Sequence, residues 1–345
     1  MKALESSLHF NYPNELVLSY INLYKSIGNG YKNIETLNKE YSIYHDITFK
    51  DDIKYLFDMF FKGYKITEAR VKAIIKGNDT VAKNNDEKYL INLTEIFNKI
   101  YSDSSFNLSV NEIKDLEALL ERGIKDKPTG LRKAQNNETP YRNKLEDLIN
   151  KYHEIKKSGS VETLYLNASF MVDFIKLAPF YNHNELIGLL VFYILNLRGD
   201  VQCVVYSSFF KMVESEGDEF NRLLNESYYL YNEGLINLTQ LIKFFLNIYI
   251  ELYKELDSLV KFKGVGSQLS KANTVETVIY GLPDTFSKAD IMEKLPNISK
   301  TTIDRVLASL QKEGKIMPLN KGRGSQWLRL DTSYEERIDF LKQFK

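Results

Sequence analysis

The sequence predicts a mainly α-helical protein that ends in a smaller segment with short β-strands. Only seven prolines interrupt the 345 residues, and most of residues 1–262 place apolar side chains at i, i+3 and i+4, the spacing of an amphipathic helix. Beyond residue 270 two short helical stretches precede two short apolar stretches, which a basic, Gly-containing turn separates. No repeat of fixed period occurs, which argues against a solenoid.

The helical part consists of amphipathic stretches that follow one another. In order they are LVLSYINLYKSI, KYLFDMFFKGY, YLINLTEIFNKIY, LSVNEIKDLEALLERG, TPYRNKLEDLINKYHEI, NRLLNESYYLYNEG and TQLIKFFLNIYIELYKELDSLVKF. The fourth begins at Ser109, a favourable N-cap, and ends at Gly123, which suits a helix C terminus. Two more stretches, VETLYLNASFMVDFIKL and ELIGLLVFYILNLRG, are apolar on most sides, so we expect them at the centre of the fold.

These patterns predict the domain limits. Residues 1–105 form an N-terminal helical region, and residues 106–262 form a helical core. Residues 263–272, with the small and polar stretch GVGSQLS, form a linker. Residues 273–335 form a second domain, and residues 336–345 are a charged tail that we predict as part of a last helix.

Composition restricts the function classes. The 46 basic and 46 acidic residues cancel, so the whole chain lacks the charge of a typical nucleic-acid or membrane binder. No apolar run reaches the roughly 20 residues that a bilayer needs, and the first 15 residues lack the apolar core of a secretory signal. The single cysteine, Cys203, excludes an internal disulfide and fits the cytoplasm. The four scattered histidines lack zinc-site spacing, so we expect no metal.

The stretch LAPFYNHNELIG, residues 177–188, joins the two apolar helices. It resembles the core motif of the Fic (Fido) family, His-Pro-Phe-x-Asp/Glu-Gly-Asn-Gly-Arg-x-x-Arg, of which it keeps Pro179, Phe180 and Asn184. The remaining motif positions are changed: Ala178 replaces the histidine, Asn182 the acid, His183 and Glu185 the two glycines, and Leu186 and Leu189 the two arginines.

The resemblance implies a Fic-like helical core, whose members transfer AMP from ATP to a protein hydroxyl. In the family the histidine is the general base, the acid binds the metal, and the glycines and arginines bind phosphate. Ala178 has no proton acceptor, and loss of a general base typically costs about 10²- to 10⁴-fold in rate. Asn182 is a poorer ligand for a hard cation, and Leu186 and Leu189 cannot bind phosphate. We therefore predict a degenerate motif with no catalytic residue and no cofactor.

A second segment, within residues 65–80, resembles the inhibitory helix of some family members, Ser/Thr-x-x-x-Glu-Gly-Asn. Gly77 and Asn78 are kept, whereas Lys72 replaces the Ser/Thr and Lys76 replaces the glutamate. In the family this glutamate pairs with a motif arginine and excludes the ATP γ-phosphate. Both partners of that ion pair are absent here, as expected if neither is used. PTGLR, residues 128–132, also resembles the family's Gly-x-x-Arg segment.

The C-terminal stretch FSKADIMEKLPNISKTTIDRVLASLQKEGKIMPLNKGRGSQWLRL has the order of a winged helix-turn-helix. Ser287 precedes a short helix, PNIS forms the turn, and Ser299 or Lys300 begins a second helix that Gly314 ends. Two strands follow, IMPLN and SQWLRL, with KGRG as the wing between them. The expected fold class is therefore a Fic-like helical core with a C-terminal winged helix-turn-helix.

The winged-helix segment is basic. Residues 288–330 contain nine basic and four acidic residues, a net charge of 9 − 4 = +5 that is typical of phosphate contact. The candidate DNA contacts lie in the first turn of the second helix and in the wing: Lys300, Thr301, Thr302, Arg305, Lys321 and Arg323. The alternative is a dimerisation or packing module, because a fold does not fix its function.

Three functions remain open at this point. The first is a catalytically inactive Fic-fold protein that binds DNA or a protein partner through its winged helix. The second is a divergent Fic adenylyltransferase that binds ATP and Mg²⁺, with Asn182 and Asn184 at the nucleotide. The third is a structural protein that assembles as a homodimer. The 177–188 stretch also has a simpler interpretation: an ordinary helix–helix turn in which an asparagine caps the second helix and His183 is a loop residue.

Overall fold

The computed structural model describes residues 1–38, 41–61, 66–77, 81–102, 105–125, 127–135, 138–229, 231–264, 271–280, 282–295, 298–320 and 325–330. The chain divides into two compact units, Met1–Leu256 and Asp257–Lys345. In the described residues no helix is both long and apolar enough to cross a membrane.

The first unit is helical. Its helices are α1 (Lys2–Ser7), α2 (Asn14–Leu37), α3 (Tyr41–Phe60), α4 (Glu68–Ile75), α5 (Asn85–Ser102), α6 (Val110–Leu120), α7 (Tyr141–Ser158), α8 (Thr163–Leu177), α9 (Asn184–Leu197), α10 (Phe209–Ser215), α11 (Gly217–Tyr228) and the part of α12 (Thr239–Gly264) up to Leu256, with a short 3-10 helix at Gln202–Val205. Each amphipathic stretch of the sequence contains part or all of one of these helices, and the predicted mainly α fold is confirmed.

Helices α8 and α9 lie at the centre of this unit, as their apolar composition predicts. Most of their side chains are buried, including Phe170, Phe174 and Phe192. Their close approach depends on Gly188, where a Cβ atom would lie only 2.8 Å from Cγ1 of Ile175. The loop between these two helices therefore connects two segments that are both packed in the core.

Polar side chains fix several helix ends. Ser109 caps α6 by accepting a hydrogen bond from the backbone N–H of Glu112, as the sequence predicts. The fully buried Asp52 of α3 accepts hydrogen bonds from Ser208 Oγ at 2.6 Å, from the Phe210 N–H at 3.1 Å and from Tyr193 Oη at 3.2 Å. Asp52 therefore ties α3 to the N terminus of α10 and to α9.

The second unit combines helices with a small sheet. Its elements after α12 are α13 (Lys271–Tyr280), β1 (Thr285–Ser287), α14 (Lys288–Lys294), α15 (Lys300–Lys312), β2 (Ile316–Pro318) and β3 (Gln326–Arg329). The sheet is antiparallel with strand order β1-β3-β2. Ser287 and Asp290 form a capping box at α14, and Ser299 caps α15.

Two features of the second unit differ from the expectations. The sequence analysis does not predict strand β1, which has only three residues and is too short to show an alternation of apolar and polar residues. Helix α12 ends at Gly264 and α13 begins at Lys271, so helices occupy both ends of the predicted linker 263–272. The division between the units lies within α12, after Leu256. The other domain limits remain predictions, and residues 265–270 and 331–345 lie outside the described residues.

Candidate functional site

The loop between α8 and α9 has left-handed backbone at both ends. Ala178 follows α8 with φ +43°, and His183 precedes α9 with φ +55°. These are the only non-glycine residues with positive φ in the described part of the chain, and such a conformation costs on the order of 1–2 kcal/mol for an L-residue. The surrounding contacts must therefore stabilise the loop.

Asn184 supplies one such contact through both ends of its side-chain amide. Its Oδ1 accepts a hydrogen bond from the Phe180 N–H at 3.0 Å, and its Nδ2 donates to the Phe180 carbonyl at 2.9 Å. His183 is the N-cap of α9 and makes no side-chain cap, so neither asparagine caps this helix as the simpler interpretation expects. The amide of Asn184 holds the loop closed on itself.

The PTGLR segment lies beside the loop and pairs with it. Leu131 and Phe180 form an antiparallel β-bridge, and the Arg132 N–H donates to the Pro179 carbonyl at 2.8 Å. The Arg132 guanidinium also donates to the Ala178 carbonyl at 3.3 Å. The carbonyl groups at the start of the loop thus have partners from this segment.

The other half of the loop contacts the same segment. Asn182 Nδ2 donates to the Pro128 carbonyl at 2.9 Å, and the Tyr181 N–H donates to the Gly130 carbonyl at 3.3 Å. Tyr181 Oη accepts from the Lys133 N–H at 3.2 Å. The side chains of Asn182 and Asn184, which the transferase interpretation assigns to the nucleotide, are both engaged in contacts within the protein.

His183 lies in an aromatic environment. Its ring centroid is 5.2 Å from that of Phe61 and 5.0 Å from that of Tyr89, and its Nε2 is 3.5 Å from Oε1 of Glu121. Burial, with a smaller contribution from the nearby Lys127, lowers the pKa of His183 to about 4. The imidazole is therefore neutral at pH 7 and adds no positive charge for a phosphate.

The two leucines at the arginine positions belong to the core. Leu186 and Leu189 are both 0% exposed, whereas Glu185 in the first turn of α9 is exposed. Pro179 and Phe180 are also buried. The two retained apolar motif residues therefore belong to the core, and the solvent-exposed side chain in the first turn of α9 is the carboxylate of Glu185.

Two buried glutamates contribute to the site, Glu117 in α6 and Glu121 at its C-cap, and the sequence analysis missed both. Oε1 of Glu117 accepts a hydrogen bond from the Gly130 N–H at 2.7 Å, and Oε2 of Glu121 accepts from Tyr89 Oη at 3.1 Å. Burial raises the pKa of both carboxyl groups. Their signal in the sequence is the i, i+4 spacing beside the apolar face of α6.

The segment that resembles an inhibitory helix forms α4. Lys72 pairs with Glu68 at 3.2 Å, Lys76 is the exposed C-cap residue, and Gly77 follows with φ +71°. Asn78 lies outside the described residues. Val71, Ile74 and Ile75 of α4 are buried, so this helix packs against the rest of the unit through these three residues.

In the second unit the predicted DNA contacts of α15 fall into two groups. Lys300, Thr301 and Arg305 are exposed. Thr302 donates its N–H to the Oγ of Ser299, and the two hydroxyl groups lie 2.9 Å apart, so Thr302 takes part in the helix cap. The two wing residues of the prediction, Lys321 and Arg323, lie outside the described residues.

Three other basic residues of this unit make structural ion pairs. Lys288 pairs with Asp304, and Lys315 pairs with Glu276 and Glu313. The guanidinium of Arg329 pairs with Asp284 at 2.6 Å and donates to three backbone carbonyls at residues 279, 280 and 282. These three cations therefore have acidic partners within the unit, whereas Lys300 and Arg305 of α15 are exposed.

No metal-binding cluster is evident: within the described ranges no three His, Cys, Asp or Glu side chains are grouped to hold an ion. The motif loop itself offers no proton acceptor at Ala178 and no arginine. Its polar side chains Asn182 and Asn184 are satisfied by backbone groups.

Comparison with known proteins identifies the fold. No family model and no curated protein matches the sequence. A crystal structure of a Fic family protein from Desulfovibrio desulfuricans G20 is similar with a TM-score of 0.56 and 14% identity, over 94% of this chain and 98% of that one.

Two further solved structures have lower scores. A Fic domain containing signaling protein from Bacteroides thetaiotaomicron VPI-5482 has a TM-score of 0.48 and 15% identity, over 71% of this chain and 100% of that one. A segment of Fic-1 from C. elegans has a TM-score of 0.48 and 10% identity, over 72% and 75%. The first similarity confirms the expected fold: this chain has the fold of a Fic family protein.

Proposed function

We propose that this protein is a Fic-fold protein that does not transfer AMP and that binds DNA through its C-terminal unit. In this proposal the motif loop, residues 178–183, is a structural connection between α8 and α9. The observation on which the proposal depends is the engagement of Asn184 in two hydrogen bonds with Phe180, together with the full burial of Leu186 and Leu189.

The motif loop favours inactivity for a chemical reason. Transfer of AMP needs a proton acceptor for the attacking hydroxyl and cationic groups for the developing phosphate charge. Ala178 provides no acceptor, and the partly buried, neutral His183 provides no charge at pH 7. The exposed Glu185 adds a negative charge beside the start of α9, where the helix dipole would otherwise attract an anion.

The order of elements in the second unit supports the winged-helix assignment. A helix, a strand, two helices and two strands follow one another, and the last strand lies between the other two in the sheet. In such folds the second helix of the helix-turn-helix lies in the major groove with its first turn toward the bases. Here the first turn presents Lys300 and Thr301 to solvent, and the second turn presents Arg305.

The test is the salt dependence of DNA binding by the full chain, measured by fluorescence anisotropy with labelled duplexes of several sequences. Each phosphate contact contributes about 0.9 to the slope of log K against log salt. Lys300→Ala combined with Arg305→Ala should therefore reduce the slope by about 1.8. Lys312→Ala is the matched control, since Lys312 is an exposed lysine near the other end of α15, about 18 Å away along the helix.

The expected result is weak binding to all duplexes that disappears as salt rises. The double variant should lose much of it, and Lys312→Ala should resemble the wild type. Absence of binding to any duplex at low salt would contradict the DNA proposal. An equal loss in the control variant would show that α15 does not contact DNA in the proposed orientation.

A further inference from the structure

The surface between helices α11 and α12 is an open groove. It consists of two adjoining cavities of about 420 Å³ and about 590 Å³, which share the lining residues Leu223 and Gln240. The first cavity extends to Glu251 of α12, and the second extends to Tyr229, directly after α11. From Gln240 to Glu251 the α12 wall is about 17 Å long, which is the length of about three helical turns. We call this surface the α11–α12 groove.

The floor of the groove is apolar. It is lined by buried side chains of both helices, each at most 8% exposed: Leu223, Leu241, Phe244 and Ile248. Tyr229, at one end of the groove, is 84% exposed, the largest exposed fraction of any large apolar side chain in the described part of the chain. Tyrosine is also one of the residues that most often supply the binding energy of an interface. A partner in the groove would therefore cover the floor and bury the ring of Tyr229.

The segment that forms one wall of the groove is acidic. Residues 213–236 contain six acidic residues and one basic residue, a net charge of 1 − 6 = −5. The whole chain has a net charge of zero, and residues 288–330 carry 9 − 4 = +5, so the remaining residues are neutral in sum. The negative excess of the chain is therefore concentrated beside the groove.

Carboxylates line the groove along its length. Its four acidic residues are Glu216, Glu219, Glu226 and Glu251. The two basic residues of the lining already have carboxylate partners. Arg222 Nη2 donates to Glu219 Oε1 at 2.7 Å, and the same guanidinium pairs with Glu226. Lys243 Nζ lies 3.0 Å from Oε2 of Glu15. The lining therefore has an excess of two negative charges, 4 − 2.

The dipole of α11 accounts for only part of this charge. Acidic side chains are favourable in the first turn of a helix, where Asp218 and Glu219 lie. Glu226 lies in the last turn of α11, where a negative charge is unfavourable. Glu216 and Glu251, at the other end of the groove, are both exposed. A positively charged partner would therefore find carboxylates at both ends of the groove.

We propose that the α11–α12 groove binds a basic amphipathic helix of another protein, about three turns long. The apolar side of that helix covers the floor and Tyr229, and its lysines or arginines contact the glutamates of the lining. This is the helix-in-groove mode of recognition. Charge complementarity selects this partner, because an acidic helix, or the α11 of a second copy, would bring like charges to the carboxylates.

The first test is fluorescence anisotropy with a labelled amphipathic peptide of leucine and lysine. A length of about 15 residues is near that at which isolated helices form. We expect the peptide to bind the full chain with a dissociation constant on the order of 10 µM, and the binding should weaken as salt rises. The matched peptide, in which glutamate replaces each lysine, should not bind at these concentrations.

The second test locates the binding site with exposed residues of the groove. Glu216→Lys combined with Glu251→Lys reverses the charge at one end and should weaken peptide binding about tenfold. Tyr229→Ala should weaken it about fivefold. All three side chains are exposed, so the thermal unfolding midpoint should stay the same. The matched control is Glu146→Lys, because Glu146 is an exposed glutamate of α7 that does not line the groove.

Several results would overturn the proposal. They are no binding of the lysine peptide to the wild type, equal binding of both peptides, and an equal loss in Glu146→Lys and in the double variant. Sedimentation velocity of the full chain tests the remaining occupant. A chain that stays monomeric agrees with the proposal, whereas self-association that the double variant removes would assign the groove to a second copy.

Discussion

Asn184→Ala tests whether the motif asparagine is a structural residue. The substitution removes the hydrogen bonds to the Phe180 N–H at 3.0 Å and to the Phe180 carbonyl at 2.9 Å. Each such bond contributes about 0.5–1.5 kcal/mol, and a donor left without a partner costs about 1–3 kcal/mol. We expect the free energy of unfolding to fall by about 2–3 kcal/mol.

The assay is thermal and urea unfolding of the full chain, followed by far-UV circular dichroism. In a unit of this size a loss of 1 kcal/mol lowers the midpoint by about 2–4 °C, so a shift of about 4–12 °C is expected. Asn184→Asp still accepts from the Phe180 N–H and should show about half of this loss. Asn182→Ala removes one more exposed bond, to Pro128, and should cost about 0.5–1 kcal/mol.

A different pattern would refute the structural role. If Asn184→Ala changed the unfolding free energy by less than about 0.5 kcal/mol, the two bonds would not stabilise the loop. The residue would then be free to bind a ligand, as the transferase alternative requires.

Three further predictions concern buried residues of the first unit. Burial raises the pKa of Asp52 to about 8, while an unfolded aspartate titrates near 3.9. Because the folded state binds the proton more tightly, the unfolding free energy should fall as the pH rises from about 4 to 8. Asp52→Asn should remove that fall in urea denaturation measured at several pH values. Leu189→Arg restores an arginine of the family motif at a position that is 0% exposed. It should lower the free energy of unfolding, measured by chemical denaturation, by about 3 kcal/mol or more. Glu185→Arg on the exposed side should lower it by less than about 0.5 kcal/mol. Gly188→Ala places a Cβ 2.8 Å from Ile175 and should lower the free energy of unfolding by about 1–3 kcal/mol in the same assay. A smaller decrease would show that α8 and α9 move apart easily.

The sequence predicts the helical scaffold well because its signals are local. The i, i+3, i+4 pattern identifies the helices, and Ser109, Ser287 and Ser299 appear as caps in both sequence and structure. The central position of α8 and α9 follows from their apolar composition, since such helices must be buried on most sides.

The details of the loop depend on contacts between distant residues, which local patterns do not contain. The pairing of Leu131 with Phe180 joins segments about fifty positions apart. Asn184 has the residue type of a helix cap or a ligand, but the left-handed turn at His183 directs its amide back to Phe180. From the sequence alone Glu117 would be assigned to the exposed face of a helix, but in the structure it accepts a hydrogen bond from the Gly130 N–H.

The most direct test of the account is isothermal titration of the full chain with ATP and Mg²⁺. If the motif loop is a structural joint, no saturable heat should appear up to about millimolar nucleotide, the limit of weak specific binding. Saturable binding that Asn182→Ala abolishes, although that variant remains folded, would contradict the account and favour a divergent nucleotidyltransferase.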